Sequence, residues 1–235
     1  MLIRYGFDIE IEFLNPTSVL TMMDIHLSRR ADIVNENAHW TTPPIAIETF
    51  TDSFGNLCRR FDAPVGRLVL QLEGTLKDSG EPDPVVGSAT QSSVSTLPID
   101  ALPFLMGSRY CETDLLGGFA WANFGHIQGG WPRVQAICDF VHEQLTFSYP
   151  KARSSRTAMQ ALEERSGVCR DFTHLAVTLC RCLNIPARYC NGYLGDIGVP
   201  YDPTPMDFNA WFEAFLDGKW YTFDARHNQP GSAGF

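Results

Sequence analysis

The sequence predicts an α+β protein in which an all-β first part precedes helices and a closing β-hairpin. Three patterns carry this. Ile3, Tyr5, Phe7, Ile9, Ile11 and Phe13 alternate with Arg4, Gly6, Asp8, Glu10 and Glu12, the period of two that a half-buried strand requires. Between residues 131 and 183 the apolar positions instead recur at helical spacing. Near the end, Asp217-Gly218 separates two runs rich in aromatic residues, a strong signal for a two-residue hairpin.

The first part reads as a β-sandwich-like domain over residues 1–78. "NPT" at 15–17 turns the chain, and "SVLTMMDIHL" returns as a second strand. "FGN" at 54–56 is a further turn and "GRLVLQLEGTL" at 66–76 a further strand. Titratable residues do not cluster there, so a structural or substrate-steering role is expected. Residues 77–99 are rich in Ser, Pro, Gly and Thr and read as a linker or long surface loop. A connecting segment over 79–125 therefore leads to a core over 126–235. In "WPRVQAICDFVHEQLTF", Val134, Ile137, Cys138, Val141 and Leu145 share one helix face, and Pro132 suits the first turn.

Composition narrows the function. The 235 residues carry a net charge of −9, and no basic tract interrupts them, so a nucleic-acid or membrane-surface partner is not expected. "MLIRYGFDIEIEF" meets three acidic residues before any apolar run and does not read as a signal peptide. The seven scattered cysteines suggest a reduced, cytoplasmic protein, with one thiol singled out for chemistry. Cys-x-x-Cys and His-x-x-x-His pairs of zinc spacing and glycine-rich phosphate loops are missing, so neither a metal nor a cofactor is expected.

The most informative stretch is "TAMQALEERSGVCRDFTHLAVTLCRCLNIPARY". Thr157 and Gln160 fit a capping box for a short helix through Arg165, and Gly167 is placed to break it. A second helix follows, with Phe172, Leu175, Ala176, Leu179 and Leu183 as its buried stripe. It stops before Ile185-Pro186, because a residue preceding proline is driven out of helical space. Cys169 falls in the first turn. There free amides and the helix dipole favour a thiolate, and the same amides can hold an oxyanion. A buried cysteine acting as a small hydrophobe is the competing reading, and it is applied to Cys138, Cys180 and Cys182.

A two-residue turn at 217–218 puts Leu216 opposite Lys219 and Trp211 opposite Asp224. Asn209 and Asp224 then project from the same face as diagonal neighbours, about 7–8 Å apart at Cα. A histidine at 209 would be oriented by Asp224 while offering its other nitrogen to a nucleophile, the arrangement nucleophilic catalysis requires. Without the cysteine, Asp224 reads first as a strand-end carboxylate paired with Arg226 or a turn amide.

Four stretches, "DSFGN" at 52–56, "SRYCETD" at 108–114, "GVCRDFTHLAVTLCRCLNIPARY" at 167–189 and "DFNAWFEAFLDGKWYTFDARHN" at 207–228, resemble the transglutaminase-like superfamily. The resemblance is to its bacterial cytoplasmic, cysteine-protease-like members with an N-terminal β domain. It implies a papain-like α+β core, helices packed on an antiparallel sheet, with a Cys-His-Asp triad acting on amide bonds through a thioester. On that pattern Cys169 is the nucleophile and Asp224 the orienting carboxylate. Trp211, Arg170 and Asp171, beside these positions, are candidate substrate-binding residues. The partner would be a peptide or protein carrying amide groups, with self-association into a homo-oligomer also open.

The pattern breaks at one place. The family's base falls on residue 209, where "DFHAWFE" is expected and "DFNAWFE" stands. An amide cannot accept and return a proton near neutral pH. His174, roughly 140° round the helix from Cys169, is expected in packing or on the surface. His227, three residues after Asp224, is expected on the opposite face. Family members usually continue with more β structure beyond the "HNQPGSAGF" that closes this chain. Two functions compete: a cysteine hydrolase or acyltransferase impaired at its base, and a pseudoenzyme binding peptides in the cleft between the β domain and the core. The aromatics Phe208, Trp211, Trp220 and Tyr221 serve the second reading, or plain packing.

Overall fold

A computed structural model describes residues 1–37, 40–194 and 207–229. They fall into two units, Met1–Glu81 and Pro82–Phe235. Residues 230–235, most of the closing stretch singled out above, lie outside the described residues.

In the first unit the alternating segment is the strand β1 (Leu2–Phe13), and β2 (Thr17–Thr21), β3 (Ile33–Asn37), β4 (Glu48–Thr51), β5 (Leu57–Ala63) and β6 (Gly66–Lys77) follow. They form two antiparallel three-stranded sheets, ordered β1-β6-β3 and β2-β5-β4. β1 and β6 pair from Leu2↔Lys77 to Phe13↔Gly66, so the same parity faces inward along the whole ribbon. Phe7, Ile9, Ile11 and Phe13 close over Phe61, Ala63, Leu68 and Leu70. The second strand is shorter than its sequence suggested. It ends at Thr21, and Asp24 turns inward to a two-pronged pair with Arg59 at 2.6 and 2.9 Å before a 3-10 turn over Leu27–Asp32.

The described residues of the second unit hold four α-helices: α1 (Thr113–Phe124), α2 (Trp131–Gln144), α3 (Ala158–Glu164) and α4 (Cys169–Cys182). A short parallel pair, β7 (Thr146–Phe147) with β8 (Ser166–Gly167), ties the start of α4 to the end of α2. The main sheet is antiparallel, β11-β10-β9, from β9 (Ala187–Gly192), β10 (Asn209–Leu216) and β11 (Lys219–Phe223). Val134, Ile137, Cys138 and Val141 of α2 and the expected stripe of α4 are all buried, in one core with Phe212, Ala214 and Leu216 of β10.

One helix lies where a connection was expected. α1 falls inside residues 79–125 and buries Leu116, Ala120 and Phe124 in that core. Its sequence hid it, because Leu115 and Trp121 are exposed while Gly117 and Gly118 interrupt the pattern, so no single stripe stands out.

Candidate active site

The site begins with the device that starts α4. Thr157 and Gln160 form the expected capping box, their side chains bonding each other's backbone N–H at 3.4 and 3.2 Å. α3 ends differently from expectation: Arg165, not Gly167, takes the left-handed conformation, at φ 52°. Gly167 is needed for another reason. A Cβ there would stand 2.5 Å from the Asp171 Cβ. That closeness lets the Asp171 carboxylate accept the Val168 N–H at 2.9 Å and cap the helix. Asp171 is 1% exposed, and the buried Arg156 guanidinium meets it at 2.9 Å. Arg170 reaches the carbonyls of Ser154 and Arg156 and stands over the Tyr110 ring. Both Arg170 and Asp171, proposed from sequence as substrate contacts, are thus engaged in holding the turn that presents Cys169.

Cys169 is the first residue of α4 and is partly exposed. Its sulfur faces the Phe208 carbonyl at 3.9 Å, at the entrance to β10. The position is as expected, but its electrostatics are less favourable to a thiolate than a helix start alone suggests. Burial raises the thiol above its ordinary value. The Arg226 charge and the N–H groups of Arg170 and Ala210 act in the opposite direction without offsetting it.

The hairpin has the register read from sequence. Leu216 faces Lys219 and Phe212 faces Phe223. Asp217 and Gly218 both have positive φ, 49° and 78°, as a type I′ turn demands. Asn209, buried, is the first residue of β10, and its Nδ2 donates to Asp224 Oδ2 at 3.4 Å. Its Oδ1 accepts from Arg226 Nη1, also at 3.4 Å. Asn209 thus bonds Asp224 and directly follows the residue whose carbonyl the Cys169 sulfur faces.

Asp224 has a further partner that strand alternation missed. β11 ends at Phe223, and the chain turns through 224–227, so the parity rule does not carry His227 to the opposite face. His227 instead folds back, its Nδ1 lying 2.7 Å from Asp224 Oδ2. The N–H groups of Arg226 and His227 donate to Asp224 Oδ1 at 2.8 and 3.1 Å. Burial would raise this carboxyl, yet these His227 and Arg226 contacts outweigh it and hold the group below the usual carboxylate range.

The remaining candidates belong to the core. His174 is buried, stacked on Tyr110 at 5.1 Å and tilted against Tyr189 at 4.9 Å. Burial, with Arg170 and Arg181 adding to it, lowers its pKa to about 3. Trp211 is 8% exposed and pairs with Cys190 of β9. Trp220 packs on Phe104 and Phe215, and Tyr221 on Trp131. Phe208, whose ring meets Tyr193, borders the sulfur through its backbone carbonyl.

The elements that meet here, a packed helix opening on a cysteine and an antiparallel hairpin carrying Asn209 and Asp224, define an α+β class with a thiol at the helix–sheet junction. The transglutaminase-like superfamily core matches residues 122–225. A candidate cysteine protease from Cytophaga hutchinsonii superposes with a TM-score of 0.78 at 31% identity, over 98% of this chain and 80% of that one. The chain belongs to the transglutaminase-like superfamily. An uncharacterized protein of Mycobacterium leprae is 33% identical over 93 residues, so the match spans 39% of this chain and only 33% of that relative. The periplasmic domain of TgpA from Pseudomonas aeruginosa is more distant, at 17% identity and a TM-score of 0.45 over 96% and 73% of the two chains. Among the described residues, no helix is long and apolar enough to cross a membrane.

Proposed function

We propose that this chain is a cysteine hydrolase of transglutaminase type, acting on amide bonds of peptides or proteins through a Cys169 thioester and slowed by Asn209 at its base position. The observation that carries the reading is the position of Asn209: beside Cys169 through the backbone of β10, and on Asp224 through its own amide. In this reading the thiolate attacks the carbonyl, and the N–H groups of Arg170 and Ala210, which face the sulfur, are donors available to the oxyanion. The amine leaving group then needs a proton that an asparagine cannot return. General acid–base help of about 10²–10⁴ is lost at that step.

The decisive experiment is Asn209→His, assayed on fluorogenic peptide amides. A gain in kcat/KM of about 10²–10⁴ is expected, with a bell-shaped pH profile that the unaltered chain lacks. Asn209→His that folds and shows no gain would remove the hydrolase reading.

The alternative is a peptide-binding pseudoenzyme. Its specific support is that the Asn209 amide is satisfied at both ends, by Asp224 and by Arg226, so the site already complements the asparagine. Cytoplasmic residence belongs to the same proposal, supported by free cysteines throughout the described residues.

A further inference from the structure

The loop between β7 and α3 carries cations that the chemistry at Cys169 does not use. With the end of α3 and the start of β8 it walls a cleft of about 490 Å³. Lys151, Arg153, Arg156, Glu164 and Ser166 line this cleft, and Pro150 and Ala152 give it an apolar side. Its volume lies within the range of small-molecule sites, roughly 300–1,000 Å³.

The charges around the loop do not balance. Glu164 is already matched, its Oε1 by Arg153 Nη2 at 2.8 Å and its Oε2 by the buried Arg156 guanidinium at 3.0 Å. Asp171 is matched in the same way by Arg156 and Arg170. Four cations therefore meet two carboxylates, which leaves two positive charges over in a chain whose net charge is −9. Arg153 engages Glu164 and Gln160 through Nη2 alone, so its Nε and Nη1 meet no acceptor among the described residues. The exposed Lys151 ammonium has no carboxylate there either.

A third donor sits beside them. Ser166 lines the cleft although it is only 2% exposed, and its Oγ has no hydrogen-bond partner. A buried hydroxyl without a partner is costly, and a ligand oxygen would supply the missing bond. The backbone that carries these donors is fixed. Arg156 holds the Lys151 carbonyl at 2.8 Å, and Arg170 holds the Arg153 and Ser154 carbonyls at 2.5 and 2.9 Å. Lys151 and Arg153 thus project from a preorganised loop, which lowers the cost of ordering them around a ligand.

We propose that this cleft binds a small phosphate monoester, its phosphoryl oxygens held by Lys151, Arg153 and Ser166 and its organic part against Pro150 and Ala152. Charge favours phosphate over carboxylate. A phosphate monoester carries a charge of about −1.5 to −2 near neutral pH, which matches the excess, whereas a carboxylate leaves one cation over. Volume favours an ester over a free ion, because inorganic phosphate would leave most of the cleft wall uncovered. The proposal does not depend on Cys169 being a nucleophile.

The test titrates the full chain by calorimetry with phenyl phosphate, inorganic phosphate and benzoate, against chloride at matched ionic strength. Phenyl phosphate should saturate one site, about tenfold tighter than either inorganic phosphate or benzoate, and chloride should not reproduce it. Lys151→Ala and Arg153→Ala should each weaken phenyl phosphate by about tenfold. Lys151→Ala keeps the backbone carbonyl that Arg156 holds, so its urea midpoint without ligand should not move. Ser166→Ala separates binding from folding: it should weaken phenyl phosphate yet leave the midpoint no lower, because the hydroxyl it removes has no partner. The proposal is overturned by unsaturable binding, by equal affinity for benzoate, or by an affinity indifferent to both Lys151→Ala and Arg153→Ala. Equal affinity for phenyl phosphate and inorganic phosphate would also overturn it, since the ligand would then be the free ion.

Discussion

Asp224 and His174 show how two buried titratable residues give one protein two separate acid sensitivities. Asp224 is held below the usual carboxylate range, so its contribution to stability is present at neutral pH and is lost only as the pH falls past about 4. His174 is a base with a depressed pKa, about 3 against an ordinary value near 6.5. Below pH 6.5 the unfolded chain takes up a proton that the folded chain refuses, so stability falls by about 1.4 kcal/mol per pH unit toward pH 3. The window from pH 6 to 5, above the range where the lowered carboxyls of Glu164, Asp52 and Asp78 begin to count, is where His174 contributes most. Chemical denaturation across it should show a falling midpoint in the unaltered protein and a flatter one in His174→Phe, which keeps the stack on Tyr110 and Tyr189 but cannot ionise. An unchanged slope would mean that His174 is hydrated in the folded state. Asp171 belongs to the same scale. Asp171→Asn removes the buried one of the two carboxylates that meet the Arg156 guanidinium and should cost about 3–5 kcal/mol in urea unfolding. A loss below 1 kcal/mol would show that Arg156 finds Glu164 sufficient.

At the scale of elements, the start of α4 depends on one missing methyl group. Gly167→Ala should push Asp171 off the Val168 N–H, lowering stability by about 1–3 kcal/mol and slowing Cys169 alkylation more than that loss explains. Equal alkylation rates would mean the cap survives the added Cβ. This junction also shows what a sequence can display. The stripe of α4, the capping box of α3 and the Asp-Gly turn were legible because each rests on contacts a few residues apart. Asn209 beside Asp224 followed from the turn and parity alone. His227 did not, because parity ends where a strand ends, and nothing in "FDARHN" marks Phe223 as the last paired residue. The occupations of Arg170 and Asp171 were hidden too, since their partners at 153–156 belong to an irregular loop that no periodicity describes. α1 escaped notice because its apolar residues lie on more than one face.

At the scale of the whole molecule, the boundary between the two units is itself a proposal with a test. Each unit has its own core: Phe61, Ala63, Leu68 and Leu70 with the inward face of β1 in one, and α1, α2, α4 and the β9–β11 sheet in the other. The chain between β6 and Ala89 forms no helix or strand, and most of residues 79–88 are exposed. Backbone of that kind is where proteases enter. Limited digestion with subtilisin should therefore cut first between residues 79 and 88. It should leave a fragment from about residue 89 onward that still alkylates at Cys169 and unfolds in a single cooperative transition. The sandwich would then serve only to support or steer, because Cys169, Asn209, Asp224 and Arg226 all belong to the second unit. A fragment that unfolds on release, or loses its Cys169 reactivity while folded, would show that the second unit needs the first to complete its site.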